Sequence, residues 1–187
     1  MEEEMQMKYR KQDILMSQII QILLVYGINS FHSIYWCALF FSFLTLHTLY
    51  VADKATIKTA FCITSVSILI NLGMSINNIY YIQGQPIKAL YLASYLSMFV
   101  SLSLGLVFFA KMKTRLSIPG RYFSTSFLVS FIDGLGMMLF FIPIYKIERV
   151  FQIFAKEVSY KVFFAAIVLG AIYMVRGSIT KLKQAST

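Results

Sequence analysis

Charge is scarce in this chain, and acid is scarcest: 8 Asp and Glu stand against 17 Lys and Arg in 187 residues, and 13% of positions are charged. Soluble domains carry about 25% charged residues, so a water-soluble globule of this composition would lack a polar surface. Cysteine is nearly absent. The 2 present, Cys37 and Cys62, lie inside apolar runs without neighbouring ligands, which excludes a disulfide-stapled secreted fold and a C-x-x-C redox pair. Histidine is limited to His32 and His47, too few ligands for a metal centre. No G-x-S-x-G, Walker loop or H-E-x-x-H occurs, and no helix face carries paired carboxylates. The chain is therefore not expected to be an enzyme, and no cofactor is expected.

What is abundant is apolar surface, at 58% hydrophobic and 16% aromatic residues with a mean hydropathy of +0.70. A spanning helix needs about 20 mostly apolar residues, and six stretches qualify: 14–31, 34–52, 59–82, 87–110, 122–145 and 158–175. Runs such as Leu104 to Ala110 and Met137 to Ile144 are apolar on every face, unlike the alternating strands of a membrane barrel. The expected architecture is an all-α integral membrane protein, one six-helix transmembrane domain over 1–187 with a short N-terminal segment 1–13 and a C-terminal tail 176–187. No extramembrane catalytic domain fits. The links are short: a turn at Phe31–Ser33, a turn by composition at Gln83-Gly84-Gln85-Pro86, and a basic loop from Lys111 to Arg121 punctuated by Pro119-Gly120.

A formal charge of +9 would suggest nucleic acid in a soluble protein. In a membrane chain it sets orientation instead, and no nucleic-acid partner is expected. With the N-terminus in the cytoplasm, one side collects Lys8, Arg10, Lys11, Lys54, Lys58, Lys111, Lys113, Arg115, Arg121, Arg176, Lys181 and Lys183, the other only Lys88, Lys146, Arg149 and Lys156. The positive-inside rule then places both termini in the cytoplasm. Glu2-Glu3-Glu4 argues against a cleaved signal peptide, and no lipidation motif is visible. Lipid is thus the first partner, and a homodimer is compatible with this layout.

Asp133 is the informative residue, midway along the fifth stretch. A mid-bilayer carboxylate costs about 2.5–3.5 kcal/mol even on the lenient insertion scale, so it normally faces a cavity or a partner. Ser126 and Ser130, at i−7 and i−3, share its helical face, and Gly134 with Gly136 permits close approach. Two roles stay open: a ligand or ion site, or helix packing with the acid neutralised. Lys161, at the start of the sixth stretch, is the obvious counter-charge, although a lysine snorkelling at a helix end would look the same. Its depth is the difficulty, because Asp133 is mid-span and Lys161 near the outer end. Asn71, Asn77 and Asn78 add amides and His47 an imidazole, each able to line a polar cavity or to pack by hydrogen bonding. Tyr35-Trp36, Tyr80-Tyr81, Tyr122 and Tyr145 read as interfacial belt aromatics.

Ser124-Thr125-Ser126, then Phe131-Ile132-Asp133-Gly134, Phe140-Phe141, Tyr160-Lys161-Val162 and Tyr173 together resemble the last two helices of the queuosine-precursor transporter family, also called the vitamin uptake transporter family. That resemblance covers about Gly120 to Met174 and, more weakly, 31–176. It implies that Asp133 and Lys161 are binding residues and that a 7-deazaguanine such as 7-cyano-7-deazaguanine is the first solute to test. The chain departs from the family pattern in its second helix, where Phe40 to Thr48 has neither the proline nor the acid, and at Gly134, where a hydroxyl residue is usual. The expected function is import of a small planar polar metabolite across an inner membrane, with Asp133, Lys161, Ser130, Ser126, His47 and Asn71 as substrate-binding candidates. A vitamin-binding subunit of an energy-coupling importer has the same size, but span one offers only Ser17 and Gly27 as small docking residues. A non-transporting accessory or structural membrane protein is the alternative from another class.

Overall fold

The computed structural model describes residues 11–31, 33–75, 80–82, 85–87 and 89–185. Among them are six helices, α1 (Lys11–Ser30), α2 (Ile34–Lys54), α3 (Ile57–Ser75), α4 (Leu90–Met112), α5 (Ile118–Phe141) and α6 (Ile147–Ala185), and one antiparallel hairpin, β1 (Tyr80–Ile82) with β2 (Gln85–Ile87). All six helices are long and apolar enough to cross a membrane. The shortest, α3, has 19 residues and spans about 28 Å at 1.5 Å per residue, against a hydrocarbon core of about 30 Å. Large side chains such as Leu69, Leu139 and Met174 stand 64%, 67% and 70% exposed, as a lipid-facing surface requires.

The helix α2 lies at the centre, packed against all five others, while α1, α3, α4, α5 and α6 follow one another around it. Its sequence explains this, because buried residues from Ala38 to Val51 cover nearly every face. In α1 the buried positions Ser17, Gln21, Val25 and Ile28 recur every three or four residues, a single stripe. One core cluster joins Val25, Ile28, Phe41, Leu44, Ile68, Tyr95, Met98, Leu102 and Val129; a second joins Leu49, Val51, Ala60, Ile63, Leu106 and Phe109. Two glycines set helix spacing. A Cβ at Gly105 would lie 2.2 Å from Val129 Cγ2, and one at Gly136 would lie 2.3 Å from Ser97 Oγ, so α4 and α5 touch closely at both points.

Several boundaries differ from the sequence expectation, among them the end of the fifth span, at Phe141 rather than 145. The third span stops at Ser75 and residues 80–82, expected as its end, form a strand paired with 85–87, with 85 and 86 expected in a turn and 87 as the start of span four; 83 and 84 lie outside the described residues. Pro119 and Gly120 sit inside α5, with the proline in its first turn, where a missing N–H costs no helical bond. The largest difference is in α6, which begins at Ile147 rather than 158, since Ile147, Val150, Phe151 and Phe154 repeat at helical spacing between charged residues. At its other end α6 continues to Ala185, through the region expected as a tail. His32, Asn77 and Asn78 lie outside the described residues.

Candidate functional site

The early start of α6 resolves the depth of Lys161. Asp133 is eight residues from the end of α5 at Phe141, about 12 Å by helical rise, and Lys161 is fourteen residues from the start of α6 at Ile147, about 21 Å. Helical side chains lean toward their own N-terminus, so a lysine stem carries its ammonium back by about one turn, to the level of the carboxylate. The two meet: Lys161 Nζ donates to Asp133 Oδ2 at 2.5 Å, with the side chains 3% and 6% exposed. The same ammonium donates to Glu157 Oε1, one turn earlier on α6, and stands 4.2 Å from the centre of the Phe41 ring.

Backbone contacts fix both helices around this cluster. Ser97 Oγ of α4 donates to the Asp133 carbonyl at 2.8 Å, and the Ser42 hydroxyl of α2 lies 2.8 Å from the carbonyls of both Lys161 and Ala38. Beside Asp133, a Cβ at Gly134 would come within 2.6 Å of Val158 Cγ2, so this glycine serves α5–α6 packing. The cluster lines a cavity of about 210 Å³ whose other walls include Ile28, Asn29, Cys37, Phe41, Tyr91, Met98, Met137, Phe141 and Ile153. These residues come from the hairpin ends of α1, α2, α4, α5 and α6. The Cys37 sulfur lies within this wall 3.1 Å from the carbonyl oxygens of both Ile28 and Phe31, either of which can accept its single S–H.

The remaining sequence candidates lie elsewhere. Ser126 and Ser130 are buried on α5 nearer its start and do not line this cavity. Asn71 is fully buried on α3, donating to the carbonyls of Ile22 and Ser67 at 3.1 and 2.9 Å. His47 Nδ1 stands 3.4 Å from Gln21 Nε2, which also donates to Thr48 Oγ1 at 3.2 Å. Asn71 and His47 thus belong to polar contacts that tie α1 to α3 and α2. Conversely, Glu157 belongs to the cluster although it lies outside every expected span. A glutamate four residues before a lysine on a helix face is a recognised pairing, and that spacing is its signal in the sequence.

A second cavity, of about 370 Å³, opens near the other ends of α2, α5 and α6, lined by Phe43, Leu46, His47, Tyr50, Asp53, Lys54, Ile118, Tyr122, Val168, Leu169, Ile172 and Tyr173. Beside it Arg121, expected in a loop, is 4% exposed, bonded to Asp53 Oδ1 at 2.5 Å and stacked 4.3 Å over Phe109. Between the cavities lie residues 123–132 of α5 and 162–167 of α6. Tyr122 OH reaches the Leu49 carbonyl at 3.5 Å and Asp133 shares Lys161 with Phe41, so Thr45 falls level with residues 126–129. The hydroxyls of Thr45, Thr125 and Ser126 are buried there without a hydrogen-bond partner among the described residues. Compared with protein-family models, curated proteins and solved structures, the chain matches none.

Proposed function

We propose that this multi-pass membrane protein is a transporter that takes a small, planar, polar metabolite into the hairpin-end cavity and releases it at the end bearing Asp53 and Lys54. The observation that carries this reading is the Asp133–Lys161–Glu157 cluster lining a cavity inside a helical bundle; ionisable groups at membrane depth mark solute or ion paths. The second cavity along the same three helices, and the unpartnered hydroxyls between the two, support a path rather than a closed pocket. The excess of Lys and Arg at the Asp53 end favours that end as cytoplasmic, which makes the direction import, across an inner membrane. By its resemblance to queuosine-precursor transporters, 7-cyano-7-deazaguanine heads the panel of solutes.

The test is uptake into proteoliposomes, with thermal stabilisation by the same panel of 7-deazaguanines, purines, vitamins and planar organic cations as the binding measure. Saturable uptake of one solute, lost in a folded Asp133→Asn variant, is the expected result. A second reading, a non-transporting protein in which the cluster only locks α5 to α6, draws on the Lys161 ammonium being engaged by protein groups on every side. It predicts no ligand shift from the whole panel and a stability loss as the sole effect of Asp133→Asn, an outcome that would overturn the transporter.

A further inference from the structure

Charge and hydrogen-bonding capacity are both lopsided at the charged cluster of the hairpin-end cavity, whose wall also carries the hydroxyl residues Ser33, Tyr91 and Ser94. Among the described residues two carboxylates, Asp133 and Glu157, face one ammonium, Lys161, a formal excess of one negative charge. The ammonium directs two donors to Asp133 Oδ2 and Glu157 Oε1 and stands over the Phe41 ring. It has little left to offer a ligand. Each carboxylate, by contrast, uses one oxygen; Asp133 Oδ1 and Glu157 Oε2 accept no hydrogen bond among the described residues. Asn29, also on the cavity wall, is neutral in this balance: one N–H of its Nδ2 donates to the Val25 carbonyl at 3.2 Å, which leaves one donor and one acceptor oxygen. The Cys37 donor is spent on a backbone carbonyl. An anion entering here meets two carboxylates and an occupied ammonium, whereas a cation meets free acceptors and, in Phe41, an aromatic face.

We infer that the cavity selects a planar, donor-rich monocation, of amidinium type, over neutral and anionic solutes of the same shape. The inference rests on the transporter reading and gives its substrate a charge, so that a planar cation moves ahead of the neutral 7-cyano-7-deazaguanine in the panel. Size is compatible, because an apolar cavity of about 150 Å³ holds benzene and this one measures about 210 Å³. Specificity would come from a bidentate N–H pair spanning the two free carboxylate oxygens, an arrangement that a single-donor amine satisfies less well.

Benzamidine, benzamide and benzoate form a charge series on one scaffold, and their binding to the full detergent-purified chain is measured by thermal shift and equilibrium titration. Benzamidine is expected to bind at least tenfold tighter than benzamide, with benzoate silent. Glu157→Gln removes the excess charge and keeps the Asp133–Lys161 pair, so it is expected to abolish the benzamidine preference; Glu157→Asp, which keeps the charge, is expected to retain it. Equal binding of benzamide and benzamidine would overturn the charge selectivity while leaving the cavity a solute site. Preference for benzoate, a benzamidine preference unchanged in Glu157→Gln, or silence from all three ligands overturns the inference as well. The transporter reading fails separately, when no solute of the panel, planar cations included, is taken up into proteoliposomes.

Discussion

Substituting Lys161 tests the cluster most severely, because one ammonium serves two carboxylates. Lys161→Met keeps most of the stem and deletes the charge, leaving the Asp133 and Glu157 side chains, 6% and 17% exposed, facing each other without a counter-ion. Breaking a buried ion pair from one side costs about 3–5 kcal/mol. Asp133→Asn is milder: the ammonium keeps Glu157, and an amide oxygen can still accept its bond, so the loss is that between a charged and a neutral hydrogen bond, about 1–2 kcal/mol. For a chain of this size 1 kcal/mol moves the melting temperature by about 2–4 °C. The expected falls are then roughly 6–20 °C for Lys161→Met and roughly 2–8 °C for Asp133→Asn. Lys161→Met combined with Asp133→Leu should recover part of the loss, since apolar replacement of a buried pair is often neutral and Glu157 can turn toward the rim. The measurement is thermal unfolding in one detergent, followed by circular dichroism. If Asp133→Asn melts as low as Lys161→Met, or the double variant melts no higher than Lys161→Met alone, the shared-ammonium geometry is refuted.

Glycine spacing gives a paired prediction: Gly136→Ala drives a methyl into Ser97 and should cost about 1–3 kcal/mol, whereas Gly170→Ala meets nothing within 4 Å and should be neutral or slightly stabilising; equal melting temperatures would contradict the α4–α5 contact. Arg121→Met strands Asp53, whose side chain is 25% exposed, so the expected loss is smaller than for Lys161→Met, and Asp53→Asn made in the Arg121→Met background should restore some of it. Thr45→Val and Thr125→Val each replace an unpartnered buried hydroxyl with an isosteric methyl and should raise the melting temperature by a few degrees. On the transporter reading, the same variants slow uptake without weakening equilibrium binding at the hairpin end; faster uptake, or loss of binding, would contradict a path between the cavities.

Much of the fold was legible because hydropathy alone marks a membrane helix. The cores of all six spans follow from apolar length, and α2 could be placed centrally only from structure, since its apolar coat is not visibly different from that of α4. The errors fall where apolarity stops being the signal. Residues 147–157 are helical through an amphipathic repeat, with Glu148, Arg149, Lys156 and Glu157 between apolar positions, so a scan for uniformly apolar windows passes over them. Residues 80–82 fail in the opposite way: Tyr80-Tyr81-Ile82 is apolar enough to extend a span, but it pairs as an antiparallel strand with Gln85–Ile87.

The site shows the same division at the level of single residues. Asp133 and Lys161 are conspicuous because charge inside an apolar run has few explanations, and the structure joins them. Glu157 is not conspicuous, being one acid among several charges in a segment that looked like a loop, yet it changes the chemistry most. With Asp133 and Lys161 alone the cavity would be neutral, and a neutral heterocycle would be its natural ligand. Adding Glu157 makes it an acceptor-rich, anionic site, and occupies the lysine donor that would otherwise bind a carbonyl. That single residue enters through helix register: moving the start of α6 from 158 to 147 turns a loop acid into the i−4 neighbour of Lys161, one turn away on the face that meets α5. Depth, more than residue type, therefore separates the two substrate classes, and the charge series on Glu157→Gln measures which side of that boundary the protein occupies.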